Sequence, residues 1–131
     1  MYAPVDLFST VPDKDYAGLL QTGHPGVPKH DAVLTFFNFG KPEVASATGV
    51  PAGSVRYDAR MPEAVKLKML EWATLVNLVA QFFGGDVEKA ALWFKLPNPL
   101  LGNVSPRDMI RFGRYETLRD FIYTSLSENR R

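Results

Sequence analysis

The side chains that could do chemistry in this chain are few and scattered. His24 and His30 flank a Pro/Gly segment, and Asp31 is their only close acidic neighbour. A metal site needs three or four converging ligands, and a catalytic histidine needs a nucleophile to serve; this spacing supplies neither. Serines, threonines and aspartates stand outside any G-x-S-x-G, phosphate-loop or H-E-x-x-H context. Gly84-Gly85 lacks the rest of a dinucleotide-binding glycine pattern and reads as a helix terminator. Asn103-Val104-Ser105 matches a glycosylation acceptor, which matters only in a secreted chain. With no cysteine, disulfides, thiolate metal sites and thiol nucleophiles drop out together. No catalytic residue, metal ligand or cofactor is assigned, and the chain is expected not to be an enzyme.

What remains is binding, and charge bounds what can be bound. The 131 residues carry 15 Lys+Arg against 14 Asp+Glu, a net charge of +1, so bulk charge does not attract nucleic acid. The positive excess lies toward the C-terminus, where residues 95–131 hold seven basic and four acidic side chains. With 46% hydrophobic residues, the chain can build a sizeable core. Neither a basic-then-apolar start nor an 18-residue apolar run is visible, so a cytoplasmic protein with no membrane partner is expected.

The elements that must position any site read as all-α. Residues 1–29, with Pro4, Pro12, Pro25 and Pro28 and three glycines, predict an extended or poorly ordered arm with one helical turn near Tyr16–Leu20. His30–Phe39 is a first helix, a second has Pro42 as its first residue and stops at Gly49, and Pro51–Tyr57 is a short third. From Pro62 to Phe83, Val65, Met69, Trp72, Val76, Val79 and Phe83 form one apolar stripe. Leu67, Leu70, Leu75, Leu78 and Phe82 form a second, leaving Lys66, Thr74, Asn77 and Gln81 as a narrow outer face. Burying both stripes predicts a central helix or one shared across a homodimer. Asp86 caps the next helix, which Pro97-Asn98-Pro99 ends. Ser105-Pro106 opens a short helix closed by Gly113, and Arg114–Leu126 is the last. No strand is expected.

One spacing has recognition content. A helix-turn-helix needs a small residue where its helices cross, a glycine four residues later and an apolar residue six further on; Ala45, Gly49 and Val55 meet these, with Val44 and Val50 as further core positions. Small helical hairpins reproduce the same spacing, so plain packing stands beside DNA binding. As a DNA reader, the motif presents Ser54, Arg56 and Tyr57, with Lys41 and Arg60 placed for phosphates. Pro51, Gly53, Thr48 and the scarcity of basic residues weaken it, and a dimer reading two half-sites is required.

The stretch from Ala91 to Gly113 contains Trp93, Pro97-Asn98-Pro99-Leu100, Gly102, Ser105-Pro106, Ile110 and Gly113 in that order. It resembles the toxin-binding domain of the Xre/MbcA/ParS antitoxin family, and with the Xre-like helix-turn-helix upstream the likeness covers about residues 30–127. The arm 1–29 lies outside the likeness; beyond it the chain is expected to divide into a helix-turn-helix region 30–61 and a region 62–131 containing the long core or dimer helix and a small helical toxin-binding domain. The resemblance implies a type II toxin–antitoxin system: the chain binds a cognate RES-domain toxin that consumes NAD, blocks its active-site entrance, and represses its own operon by binding operator DNA. A stand-alone helix-turn-helix repressor without a toxin is the alternative. Within the motif, Trp93 and Phe94 are expected as core anchors, Pro97-Asn98-Pro99 and Gly102 as a rigid turn, and Ser105 as a cap. Arg and Tyr dominate many interfaces, so the expected toxin contacts are Arg107, Arg111, Arg114, Tyr115, Arg119, Tyr123 and the tail Asn129, Arg130 and Arg131, which would lie across the nucleotide pocket.

Overall fold

A computed structural model describes residues 11–128; the tail residues Asn129, Arg130 and Arg131 lie outside the described residues. Among the described residues six helices follow a two-stranded hairpin, so the architecture is all-α with one small β addition. The strands are β1 (Leu20–Gln21) and β2 (His24–Pro28), followed by α1 (His30–Phe37), α2 (Lys41–Thr48), α3 (Glu63–Phe82), α4 (Val87–Lys95), α5 (Pro106–Arg111) and α6 (Tyr115–Glu128). Three-residue 3-10 turns, Ala52–Ser54 and Pro99–Leu101, sit in two of the connections.

The helix ends follow their punctuation. Asp86 accepts a hydrogen bond from Lys89 N (3.1 Å) at the start of α4, and Ser105 Oγ accepts one from Asp108 N (3.0 Å) at the start of α5. The Glu43 carboxylate reaches back to Gly40 N (2.7 Å) to cover an orphan donor before α2. Gly49 closes α2 in the left-handed region (φ 78°), which costs glycine nothing.

Helix α3 is the axis, packed by β2, α1, α2, α4 and α6. Its first stripe is interior: Val65, Met69, Trp72 and Val76 have no exposed surface. Phe37 and Phe39 meet the Trp72 ring edge-on, and Phe94 meets Phe37 likewise, the preferred arrangement of aromatic quadrupoles. A continuous core runs from Leu19 through Ile122.

Three expectations fail here. The second stripe of α3 is split: Leu75 and Leu78 are buried, while Leu67 and Phe82 are each 51% exposed. Asn77, expected on the outer face, is buried because it ties the arm to the helix. Its Oδ1 accepts from Ala17 N (2.9 Å) and its Nδ2 donates to Asp15 Oδ1 (2.9 Å). The arm itself, from residue 11 on, is therefore packed structure. β1 and β2 pair antiparallel around Gly23 (φ 75°), Lys29 N donates to Leu19 O (2.8 Å), and Leu19 enters the core. Strands this short give no alternation to read, and long-range contacts hold them.

Candidate functional site

The helix expected at Pro51–Tyr57 is absent. Pro51 and Gly53 leave only the 3-10 turn Ala52–Ser54, after which Val55 is extended. The packing half of the motif is in place, since Val44 and Val55 are buried, but no second helix exists to enter a groove. Lys41, Ser54 and Arg60 are exposed. The Arg56 guanidinium grips Asp58 through two hydrogen bonds (2.7 and 3.2 Å). That grip holds the Asp58 carboxyl below its usual range. Tyr57 turns inward, its ring stacked on His30 at 5.1 Å and its hydroxyl buried without a partner. Ser54, Arg56 and Arg60 thus stand outside any α-helix, Lys41 opens α2, and Tyr57 faces inward, so the five do not form one recognition-helix face.

The expected toxin contacts fall into two clusters on opposite jobs. At the start of α5, Arg107 Nε donates to Phe37 O and Nη2 to Asn38 O (2.9 Å), with the guanidinium over the Phe39 ring at 5.0 Å. It supplies a cation to the carbonyl end of α1, where Asn38 is left-handed (φ 56°). Arg107 is a staple between helices. Arg111 Nε pairs with Asp108 (3.0 Å) and lies over Phe112 at 4.3 Å. Arg114 is exposed.

The second cluster lines a groove between α3 and α6, walled by Leu67, Leu70, Glu71, Thr74, Tyr115, Arg119 and Tyr123. Tyr115, expected as a contact, is only 4% exposed, because it opens the apolar face that α6 turns toward α3. Burial pushes its phenol well above the usual range, with the Glu71 charge adding to the effect, so it stays protonated. Lys68 spans the groove, pairing with Glu71 (3.2 Å) and Glu116 (3.1 Å) and sitting 5.1 Å above the Tyr115 ring. Burial pulls the Lys68 ammonium down, and its hydrogen bonds to Glu116 and Glu71 more than reverse this. Arg119 pairs with Asp120 (3.1 Å) beside Tyr123, whose phenol burial likewise raises. None of these shifts creates a base or nucleophile, and no cluster of three potential metal ligands occurs among the described residues.

A surface that the sequence reading did not single out lies on the other side of α6. Val79, Phe82, Phe83, Trp93, Leu100, Phe121 and Leu126 line an apolar cavity of about 170 Å³. Trp93, expected as a core anchor, is only half-buried and forms its wall; Phe94 takes the core role. Leu92 and Leu96 are 57% and 50% exposed, and Leu100 is 79% exposed at the tip of the Pro97–Gly102 turn. That turn is fastened internally. Asn98 Oδ1 accepts from Leu100 N (2.9 Å), Asn98 O accepts from Leu101 N and Asn103 N (both 2.9 Å), and Asn98 N donates to Val104 O (3.2 Å). Gly102 and Asn103 complete it at positive φ. The legible signal was the helix α4 itself: Ala90 and Phe94 occupy one face, so Leu92 and Leu96 must face elsewhere.

The chain is similar to the protein named Antitoxin Xre of Yersinia enterocolitica (serotype O:8 / biotype 1B), 26% identical over 84 residues. The similarity takes in 61% of this chain and 57% of that protein, so the chain spans little more than half the length of the relative it matches. No family model matches the chain, and no solved structure matches it.

Proposed function

We propose that this chain is the antitoxin of a type II toxin–antitoxin system and acts, in the cytoplasm, by covering the active-site entrance of a NAD-consuming RES-domain toxin. Similarity to a protein named as an antitoxin carries the reading. The choice of a RES-class toxin rests on the family resemblance carried by the Trp93, Pro97-Asn98-Pro99-Leu100, Gly102 and Ser105-Pro106 pattern. The physical support is a surface fit for binding. Leu100 is an exposed apolar side chain on a turn whose backbone hydrogen bonds are already made, so little entropy is lost when it docks. Phe82 walls the same cavity as Leu100, and Leu92 and Leu96 of α4 are exposed apolar side chains as well.

On this reading the contact surface centres on α4, the Pro97–Gly102 turn and the flank of α6, with Arg119 and Tyr123 at its edge; Arg107 and Tyr115 serve the fold. Autoregulation enters through Lys41, Ser54, Arg56 and Arg60, in a homodimer. Lacking a second helix, these residues meet phosphates rather than bases, so operator affinity should fall steeply with salt, by about 0.9 in log K per neutralised phosphate per unit of log salt. Co-expression with a cognate RES-domain toxin tests the central reading. The parent chain restores growth and cellular NAD and co-purifies with the toxin. Leu100→Asp, at a site too exposed to affect folding, loses both. Full rescue by Leu100→Asp would remove this surface from the mechanism, and failure of the parent to co-purify would remove the toxin.

A further inference from the structure

The apolar cavity between α3, α4 and α6 is held open by its own walls. Phe82, Phe83, Trp93 and Phe121 set four aromatic rings around about 170 Å³. Trp93 stands edge-on against the buried Phe94 with centroids 5.1 Å apart, and Phe82 and Phe83 brace one another edge-on at 5.4 Å. Asn98 and Ser125 bring the polar groups, and no charged side chain among the described residues lines the space. The bonds of Asn98 decide what an occupant must bring. Its Oδ1 accepts from Leu100 N, its main-chain oxygen accepts from Leu101 N and Asn103 N, and its main-chain nitrogen donates to Val104 O. Nδ2 is left without a partner among the described residues, so Asn98 meets an occupant as a donor and not as an acceptor.

We propose that this cavity binds a small neutral aromatic molecule carrying a carbonyl oxygen, an aromatic carboxamide being the simplest. Size sets the class: an apolar cavity of about 150 Å³ accepts benzene, and about 170 Å³ takes one ring with its substituent. Aromatic walls favour a flat aromatic occupant, which meets them in offset or edge-on contacts. A lining without charge rejects an ion, because nothing there offsets its loss of water. The Asn98 Nδ2 donor separates such a molecule from a phenylalanine or leucine side chain of a partner, which would cover the amide and leave it unpaired. Apolar walls with a few convergent polar groups are the usual make-up of a small-molecule site. Phe82 is half exposed and stands at the mouth, so entry needs no unfolding. The proposal does not rest on the toxin reading.

Benzamide, one ring with one carboxamide, is the probe, titrated into the isotope-enriched full chain and followed by NMR. Saturable shifts of the Trp93 indole and of the Val79 and Leu126 methyls are expected, with one Kd on the order of a millimolar for a ligand of this size. Val55 and Met109, elsewhere in the fold, should not respond. Benzoate, which adds a charge, and toluene, which lacks an acceptor, should each bind roughly tenfold more weakly. Asn98→Ala should weaken benzamide to the level of toluene and leave toluene unchanged, whereas mere loosening of the turn would weaken both. Shifts that do not saturate, or that fall outside the cavity, overturn the inference. So does benzoate or toluene binding as tightly as benzamide, or Asn98→Ala weakening both ligands alike or neither. No toxin enters the experiment, and its failure leaves the toxin reading intact.

Discussion

Arg107→Ala separates a residue that holds the fold from one that meets a partner. The guanidinium makes two hydrogen bonds to the carbonyls of Phe37 and Asn38 and lies over Phe39, with its side chain 23% exposed. Charged hydrogen bonds contribute about 1.5–3 kcal/mol each when well shielded, and a partly exposed cation–aromatic contact about 0.5–1 kcal/mol. Discounted for that exposure, the substitution should cost about 3 kcal/mol, or roughly 10 °C in melting temperature for a domain of this size. The Asp108 contact at 3.4 Å is too long to add much. Arg107→Lys keeps the charge at the α1 terminus but cannot reach both carbonyls with one ammonium, and should recover less than half of the loss. Urea unfolding followed by Trp72 fluorescence measures both. At temperatures where the variant is still folded, toxin affinity should equal that of the parent. A variant as stable as the parent that fails to bind toxin would refute the staple and return Arg107 to the interface.

Two further substitutions probe the same division. Asn77→Leu removes both bonds that tie the arm to α3, leaving the Ala17 N–H unpaired and Asp15 Oδ1 with only its bond from Leu19 N, and should cost about 2–3 kcal/mol at neutral pH with faster hydrogen exchange in β1 and β2. Burial raises the Asp15 carboxyl, but hydrogen bonds from Leu19 N, Asn77 and Leu20 N more than reverse this, so its folded pKa lies below 3.8. A depressed folded pKa stabilises above the unfolded value and ceases to do so as pH falls through the folded one. The gap between parent and Asn77→Leu should therefore be constant from pH 7 to about 5 and shrink below about 4; a gap that widens on acidification contradicts the assignment. Tyr115→Phe deletes a hydroxyl whose bond to Glu71 O is long at 3.4 Å, and should change stability by less than about 0.5 kcal/mol and leave toxin binding unaltered. A tenfold loss of affinity would show that the phenol is a contact after all.

Helix punctuation was legible because it is local. Gly49, Asp86, Ser105 and Gly113 act through hydrogen bonds or backbone angles within a few residues of themselves. The first stripe of α3 was legible because a period repeated over six positions leaves one face to bury. The 51–57 segment was misread for the converse reason. Its apolar spacing matches a helix-turn-helix, and Val55 packs as that spacing requires, but Pro51 and Gly53 deny the intervening backbone a helix. Spacing specifies which side chains go inward, not what the backbone does between them. Asn77 and Arg107 were illegible because their partners lie 60 and 70 residues away in sequence, Ala17 for one and Phe37 for the other. A polar residue at a core position of a helix, or an arginine just inside a helix start, looks solvated until the chain brings a carbonyl or an amide to it.

The same reasoning explains why the expected contact surface moved. Arginines and tyrosines were favoured because they dominate interfaces in general, yet a small all-α fold with short helices also needs them to close helix ends and cover aromatic edges. Arg107 and Tyr115 are consumed that way. What the fold leaves unconsumed is aliphatic: Leu92 and Leu96 on the outer face of α4, and Leu100 beyond it. An exposed leucine on a loose loop would signify little. Leu100 differs because Asn98 accepts from three backbone amides around it, fixing the turn before any partner arrives. Asn98→Ala removes the one of these bonds that the side chain makes, Oδ1 to Leu100 N, and keeps the two to its main-chain carbonyl; it should therefore leave the apolar side chains in place and weaken binding modestly, because the loss would be in preorganisation and not in contact area.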